Sequence, residues 1–336
     1  MHPLLVSLTL LPTAQAFAPG ALHIAAAQNV IEHTPLILAA QDYYSANFTI
    51  ENGGVANIAS LNSSTAKKID LAANAETQGL RQYYNNRSLR LLMVVVESTY
   101  RIVARNLTGE IKSISDLRGK KVLSIPLTSA GYFVEKFLLA KAGLSPGTDY
   151  TPYYNNASIC LREPCSSGSF SGFMGSGVVD AVGMWEPISE LSVRAVGGRS
   201  KVAVFSDKKV YREVYSLWTV QAKLDDPERR SSIVEYVRGL LRMQETYQKE
   251  PKKVIKRASE VVNVTEEILE AVWEDHYWKG YLPTDLVDFM TEEDKYLARM
   301  ENRTALPREE IAKMVEPSVL EEALKAEGLT ANTKVD

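Results

Sequence analysis

Apolar and polar positions along the chain fall into alternating strand-like and helix-like segments. Leu22-His23-Ile24-Ala25-Ala26-Ala27 alternates loosely and predicts a first strand. Thr34-Pro35 follows, a hydroxyl able to cap free amides and then a residue whose fixed φ suits the first helical position. That helix is expected to run through Leu36, Ile37, Ala39 and Ala40 toward Tyr44. Phe48-Thr49-Ile50 reads as a second strand ended by Gly53-Gly54, and residues 69–73 as a third. Residues 91–96 are a continuous apolar run, the pattern of a strand buried on both faces.

The pattern then repeats. Ser115-Asp116-Leu117 reads as a helical turn, Gly119 as its stop and residues 122–125 as a strand. Thr128-Ser129-Ala130-Gly131 leads into a helix with Phe133, Phe137 and Leu138 on one side, ended by Gly143 as a left-handed cap. Residues 180–184 and 201–205 read as short strands. Beyond about residue 222 the pattern is helical. Asp226-Pro227 opens a helix with Ile233, Val237, Leu240 and Leu241 at helical spacing. Thr265 caps another, with Val264 and Leu269 as a hydrophobic staple, and residues 283–299 and 307–325 complete a helical tail. Strand and helix alternating twice predicts an α/β fold with parallel sheets covered by helices.

Composition adds bounds. The 336 residues suffice for two lobes or one large domain, and the net charge of −3, with no basic stripe, argues against a nucleic-acid partner. No run of 18 apolar residues predicts a membrane span. At the N-terminus an apolar run over residues 4–11 precedes Pro12 and Ala14-Gln15-Ala16, which reads as a secretory signal peptide over residues 1–16. Glycosylation sequons occur at Asn47, Asn62, Asn86, Asn106, Asn156, Asn263 and Asn302. Chance would give roughly two. The excess fits a eukaryotic chain exported through a glycosylating pathway, so the expected location is extracellular. Cys160 and Cys165 could close one small loop in an oxidising compartment, or remain two buried thiols; with no histidine beside them they do not suggest zinc.

Three segments carry a family resemblance. Asp116-Leu117-Arg118-Gly119-Lys120-Lys121-Val122, Thr128-Ser129-Ala130-Gly131-Tyr132-Phe133 and Lys141-Ala142-Gly143-Leu144 resemble the second lobe of sulfonate-, nitrate- and thiamine-precursor-type solute-binding proteins. Asp180-Ala181-Val182-Gly183-Met184-Trp185-Glu186-Pro187 resembles a later element of the same group. The resemblance spans about residues 22–300 and extends to secreted fungal members of the superfamily. It implies a type II periplasmic-binding fold, two doubly wound lobes joined by a two-strand hinge near residues 99–105 and 210–217. Lobe one would hold residues 20–102 and 213–336, and lobe two residues 103–212. Bacterial members hand their ligand to a membrane transporter; a chain secreted by a eukaryote need have no such partner.

In open α/β sheets, ligands bind beyond the carboxyl ends of the strands. That rule selects Gln28, Asn29, Glu32, His33 and Thr34 after the first strand, Asn74, Glu76 and Thr77 after the third, and Glu97, Ser98, Thr99 and Tyr100 after the fourth. In lobe two it selects Thr128, Ser129, Ala130, Gly131 and Tyr132, then Trp185, Glu186 and Pro187. The 128–131 turn puts small residues and free amides at a helix start, where an anionic group is favoured. Trp185 offers a stacking face. Arg101 and Arg212 could fork onto an oxyanion, or pair with Glu97 or Glu213. No G-x-S-x-G, H-E-x-x-H, P-loop or G-x-G-x-x-G is present, and the cysteine-rich motif of the thiamine-pyrimidine synthase branch is missing. No cofactor or metal is expected. The sequence points to a binding protein that closes a cleft over a small anionic or zwitterionic metabolite. The rival is a secreted or vesicular enzyme using a Glu or His as acid–base in the same cleft.

Overall fold

A computed structural model describes residues 18–26, 30–52, 57–62 and 69–329, without the side chains of Asn57 and Asn62. The proposed signal peptide, Gln28 and Asn29 lie outside the described residues.

The first strands are β1 (Leu22–Ala26), β2 (Phe48–Asn52), β3 (Leu71–Asn74) and β4 (Leu89–Ser98). The chain then leaves to build β5 (Arg101–Arg105), β6 (Lys121–Leu123), β7 (Thr151–Tyr153), β8 (Ala181–Met184) and β9 (Val202–Phe205). It returns for β10 (Glu213–Val220) and β11 (His276–Tyr277). Two sheets result, ordered β11-β4-β10-β3-β1-β2 and β7-β6-β8-β5-β9. The chain passes between them twice, at residues 99–100 and 206–212.

The sheets are mixed, where the strand–helix alternation suggested parallel ones. β10 runs antiparallel to both β3 and β4, and β5 antiparallel to both β8 and β9. The reason is topological. The chain leaves the first sheet at Ser98 and re-enters at Glu213, and these residues are register partners. Exit and entry at one edge force the returning strand to run backwards.

β4 shows why its segment carries no polar residue between Leu91 and Val96. Side chains alternate across a strand, and two register irregularities against β10 each shift that alternation by one residue. Leu91 and Val94 enter an apolar cluster that continues into the second sheet, while Leu92 and Val95 enter one beneath the helices that cover the opposite face. Those covers include α1 (Thr34–Tyr43) and the Pro227–Lys249 helix, whose Asp226 caps it by accepting from the Glu228 and Arg229 amides. Thr265 caps the Glu266–Val272 helix as expected, accepting from the Ile268 amide at 3.4 Å. Thr34 does not cap α1. A turn of 3₁₀ helix, Ile31–His33, precedes it, so the Thr34 hydroxyl instead donates to the Ile31 carbonyl at 2.8 Å. The helical tail is present as Leu286–Glu301, Arg308–Ala312 and Ser318–Ala326.

Candidate functional site

Both sheets present strand ends to one another across a small buried cavity. It is lined by residues from the carboxyl ends of β1 and β3, from the β4–β5 crossing, from the start of β10 and from the loops after β6 and β8. Its volume, about 50 Å³, leaves room for roughly three to five water-sized groups.

The first half contributes α2 (Glu76–Asn85), which starts immediately after Asn74. The second contributes α3 (Ser129–Ala142), with Gly143 ending it in the left-handed conformation at φ 62°. The two helix starts meet. The Ser129 hydroxyl lies 2.9 Å from Thr77 Oγ1 and donates to Glu76 Oε1 at 3.1 Å. Glu76 also accepts from the Tyr211 hydroxyl and the Val214 amide, each at 3.0 Å. Gln78 Nε2 reaches the carbonyl of Leu127 at 3.3 Å. Leu127 itself sits at φ 57°, the left-handed region that a branched side chain disfavours, so this turn is held in place by its surroundings.

The opposite wall is acidic. On the edge shared by β11, β4 and β10, His276, Ser98 and Glu213 are cross-strand neighbours in one row. Ser98 donates to Glu32 Oε1 at 3.2 Å, and His276 Nε2 lies 3.7 Å from the same oxygen. Tyr100 donates to Glu213 Oε1 at 2.5 Å. The second oxygens of Glu32 and Glu213, and the Trp185 indole nitrogen, are buried with no hydrogen-bond partner among the described residues. Glu32, Glu213 and Trp185 all line the cavity.

Burial decides the protonation of this cluster. It lifts the Glu213 carboxyl well above the usual carboxylate range, and the nearby Glu32 and Glu76 charges add to the lift. Burial likewise raises Glu76 and Glu293, and each carboxyl also bears on the other. For His276, burial opposes the charged form, but Glu32 and the Val272 carbonyl outweigh it and hold the ring above its ordinary value. His33, fully buried with no such partner, is pushed down to about 3.

Of the residues selected from sequence, Asn74, Thr77, Tyr100, Thr128, Ser129, Trp185 and Glu32 line the cavity. Glu76 and Ser98 stand directly behind it, holding lining residues. The others are placed elsewhere. His33 packs edge-on against Tyr215 at 4.9 Å, and Thr34 accepts from Tyr247 at 2.7 Å. Glu97 alternates with Ser98 to the other face, where it pairs with Arg212 at 2.8 Å, and Arg212 reaches Asp285 at 2.7 Å. Glu186 pairs with Arg101 at 2.5 Å in a buried bridge. The buried Thr99 hydroxyl has no partner among the described residues and its amide donates to Asp275 at 2.8 Å. Ala130 is core. Tyr132 packs on Tyr211 and Tyr296. Gly131 is small for a packing reason: a Cβ there would come within 2.6 Å of both the Ile125 carbonyl and the Tyr296 hydroxyl.

Cavity residues not selected from sequence are Val30, Ala75, Gln78, Ile159, Glu213 and Tyr215. Ile159 arrives on the loop closed by the bonded pair Cys160–Cys165. Among the sequon asparagines with described side chains, Asn47, Asn156, Asn263 and Asn302 are exposed and Asn86 and Asn106 half-buried. Asn263 and Asn302 also end helices at φ 54° and 53°, a conformation asparagine tolerates, which is a local reason for asparagine at both. Among the described residues, no group of three or more His, Cys, Asp or Glu is placed to hold a metal ion. No helix there is long and apolar enough to cross a membrane.

Two mixed α/β sheets, joined by two crossings and facing each other over a cavity, define the periplasmic-binding-protein fold. Solved structures match it over nearly the whole chain. The periplasmic sulfonate-binding protein SsuA of Methylobacillus flagellatus superposes with a TM-score of 0.71 at 15% identity, over 96% of this chain and 99% of that one. The aliphatic sulphonate binding protein SsuA of Escherichia coli gives 0.68 at 16% identity, over 88% and 97%. The desulfurization enzyme DszB gives 0.63 at 12% identity, over 92% and 99%. No family model and no curated protein sequence matches the chain.

Proposed function

We propose that this chain is a secreted glycoprotein that binds one small metabolite in the cavity between its sheets. The halves, residues 20–102 with 213–336 and residues 103–212, would close over the ligand. One observation carries the reading: a cavity where the two sheets meet is lined by a buried donor, Trp185 Nε1, and buried acceptors, the second oxygens of Glu32 and Glu213, that have no partner among the described residues. Buried polar groups left unpaired cost stability, so such a cluster is expected to have an occupant. At one end, the first amides of α3 lack partners within the helix and the positive end of its dipole adds to them. The unpartnered Trp185 N–H lines the same cavity, and together these donors suit an oxyanion. A purely anionic ligand would face Glu32 and Glu213 across the cavity, so of the anionic and zwitterionic readings the zwitterionic one fits better. The sulfonate-binding neighbours support small-molecule binding in this fold.

Native mass spectrometry of gently purified protein is the test. An adduct of small organic mass that is lost on unfolding is expected, together with a smaller radius of gyration when the ligand is bound. Protein that carries nothing, and whose radius of gyration no added metabolite changes, would sink the reading. A catalytic use of the cavity is favoured by one feature, the carboxyl of Glu213, raised by burial well above the usual carboxylate range although Tyr100 donates to it, since carboxyls raised in this way serve as general acids. Recovering a transformed product instead of the intact ligand would select it.

A further inference from the structure

The acidic wall calls for a ligand of particular charge. Glu32 and Glu213 are 2% and 4% exposed, and both line the cavity. Each has one oxygen engaged, by Ser98 and by Tyr100 respectively, and one oxygen with no partner among the described residues. The unengaged oxygens come from different elements, Glu32 from the Ile31–His33 turn and Glu213 from the first position of β10, and the Ser98 row brings them to one wall. Fully buried carboxylate oxygens are rare without a donor or a counter-ion. The surroundings supply few donors. Tyr215 commits its hydroxyl proton to the Ala73 carbonyl at 2.7 Å, Tyr211 commits its own to Glu76, and Tyr100 is already spent on Glu213. His276 turns Nδ1 to the Val272 carbonyl at 3.0 Å and faces only Glu32 with Nε2. Arginine does not reach the wall: Arg101 is held by Glu186, and Arg212 by Glu97 and Asp285.

We infer that the Glu32–Glu213 wall receives the ammonium group of the ligand. An N⁺–H donor supplies the hydrogen bonds that both unengaged oxygens lack. Tyr100 and Tyr215 flank the same wall and add aromatic surface to hold a cation's alkyl substituents. In the empty protein burial and the neighbouring Glu32 and Glu76 hold the Glu213 carboxyl well above its ordinary value and disfavour a further negative charge. An arriving ammonium reverses that balance. The proton leaves to solvent, the net charge of the cavity is unchanged, and affinity rises with pH until Glu213 is ionised in the empty protein as well. The cavity volume restricts the occupant to a small amine, such as a short amino acid or amino-oxyanion.

The inference rests on the cavity being the ligand site, and its test separates the two claims. Ethylammonium, acetate and glycine are titrated calorimetrically into the full chain at neutral pH, in buffers of different ionisation enthalpy. Ethylammonium and glycine are expected to bind and acetate not to. The buffer dependence should report about one proton released per ethylammonium bound. Glu213→Gln keeps an acceptor for Tyr100 but cannot ionise. It should weaken ethylammonium about tenfold or more and abolish the proton release, while the melting temperature of the empty protein stays near wild type. Glu32→Gln provides the same readout from a second element. Tighter binding of acetate than of ethylammonium, no binding of either ammonium probe, or unchanged affinity in both variants overturns the inference. In that event an adduct in native mass spectra would still uphold the binding-protein reading.

Discussion

The hydroxyl of Ser129, at the start of a helix covering the second sheet, donates to the carboxylate of Glu76, at the start of a helix covering the first, at 3.1 Å. Thr77 lies 2.9 Å from the same hydroxyl. The Ser129 side chain therefore spans the two halves and is engaged by protein on both sides. Read from the sequence, the segment looked like a ligand-binding turn. In the structure its hydroxyl is spent on contacts with Glu76 and Thr77, so the turn is left with its backbone to offer a ligand.

Ser129→Ala should loosen the closed form. One hydrogen bond to a carboxyl group contributes roughly 1–3 kcal/mol, so the ratio of closed to open protein should fall about five- to 150-fold. Small-angle scattering of the ligand-free variant should show a larger radius of gyration, with weaker apparent affinity for any ligand that requires closure. Identical scattering curves for variant and wild type would reduce the contact to local capping.

The raised carboxyls of Glu76 and Glu293 have a signature in pH. Both carboxyls are raised in the folded protein, first by burial. Their contribution is complete below the ordinary value of 4.5 and is lost as pH rises through the folded value. His33, lowered to about 3, acts in the opposite sense, with stability present above 6.5 and lost as pH falls. Comparing Glu293→Gln with wild type cancels the His33 term. The melting temperature of the variant relative to wild type should climb by about a few degrees on going from mild acid to neutrality. Glu292, Lys136 and Tyr132 also face this group, so a flat difference would mean that they, rather than burial, set its charge.

The Cys160–Cys165 bond closes a loop whose position matters more than its length. Ile159 beside it lines the cavity, while Leu161 and Cys165 pack against the apolar cluster of the first half. Non-reducing peptide mapping should recover the linked pair. Replacing both cysteines by serine should cost roughly 2 kcal/mol or less, as expected for so short a loop. Ligand dissociation should accelerate, because a cavity wall is loosened. Two free thiols in the native protein would remove the argument.

Export and glycosylation are checked directly. The mature chain should begin near Phe17, and an endoglycosidase should shift its mobility, with Asn47 and Asn156 the best-presented acceptors because both are exposed outside helix caps. An intracellular chain that retains Met1 and an unshifted band would contradict the proposed route.

Much of this protein is legible in its sequence because the signals are local. Apolar runs place β1, β3 and β4, Gly143 ends α3, and Asp226 and Thr265 cap their helices, each through atoms a few residues apart. The rule that ligands sit beyond strand carboxyl ends selected Asn74, Thr128, Ser129 and Trp185, which line the cavity, without knowledge of the fold's details. It could not find Glu213 or Tyr215. These belong to β10, whose reversed direction brings its amino end to the same edge, and strand direction follows from where the chain crosses between sheets. Nor could it separate Ser98, facing the cavity row, from Glu97, facing Arg212, since that depends on which face of β4 meets the cavity. The charge of the site was hidden for the same reason. Glu32, Glu76, Glu213 and Glu293 are scattered along the sequence, and in water each is an ordinary carboxylate. Tertiary structure alone buries them together, and in a medium of low dielectric that proximity decides which of them keeps a proton.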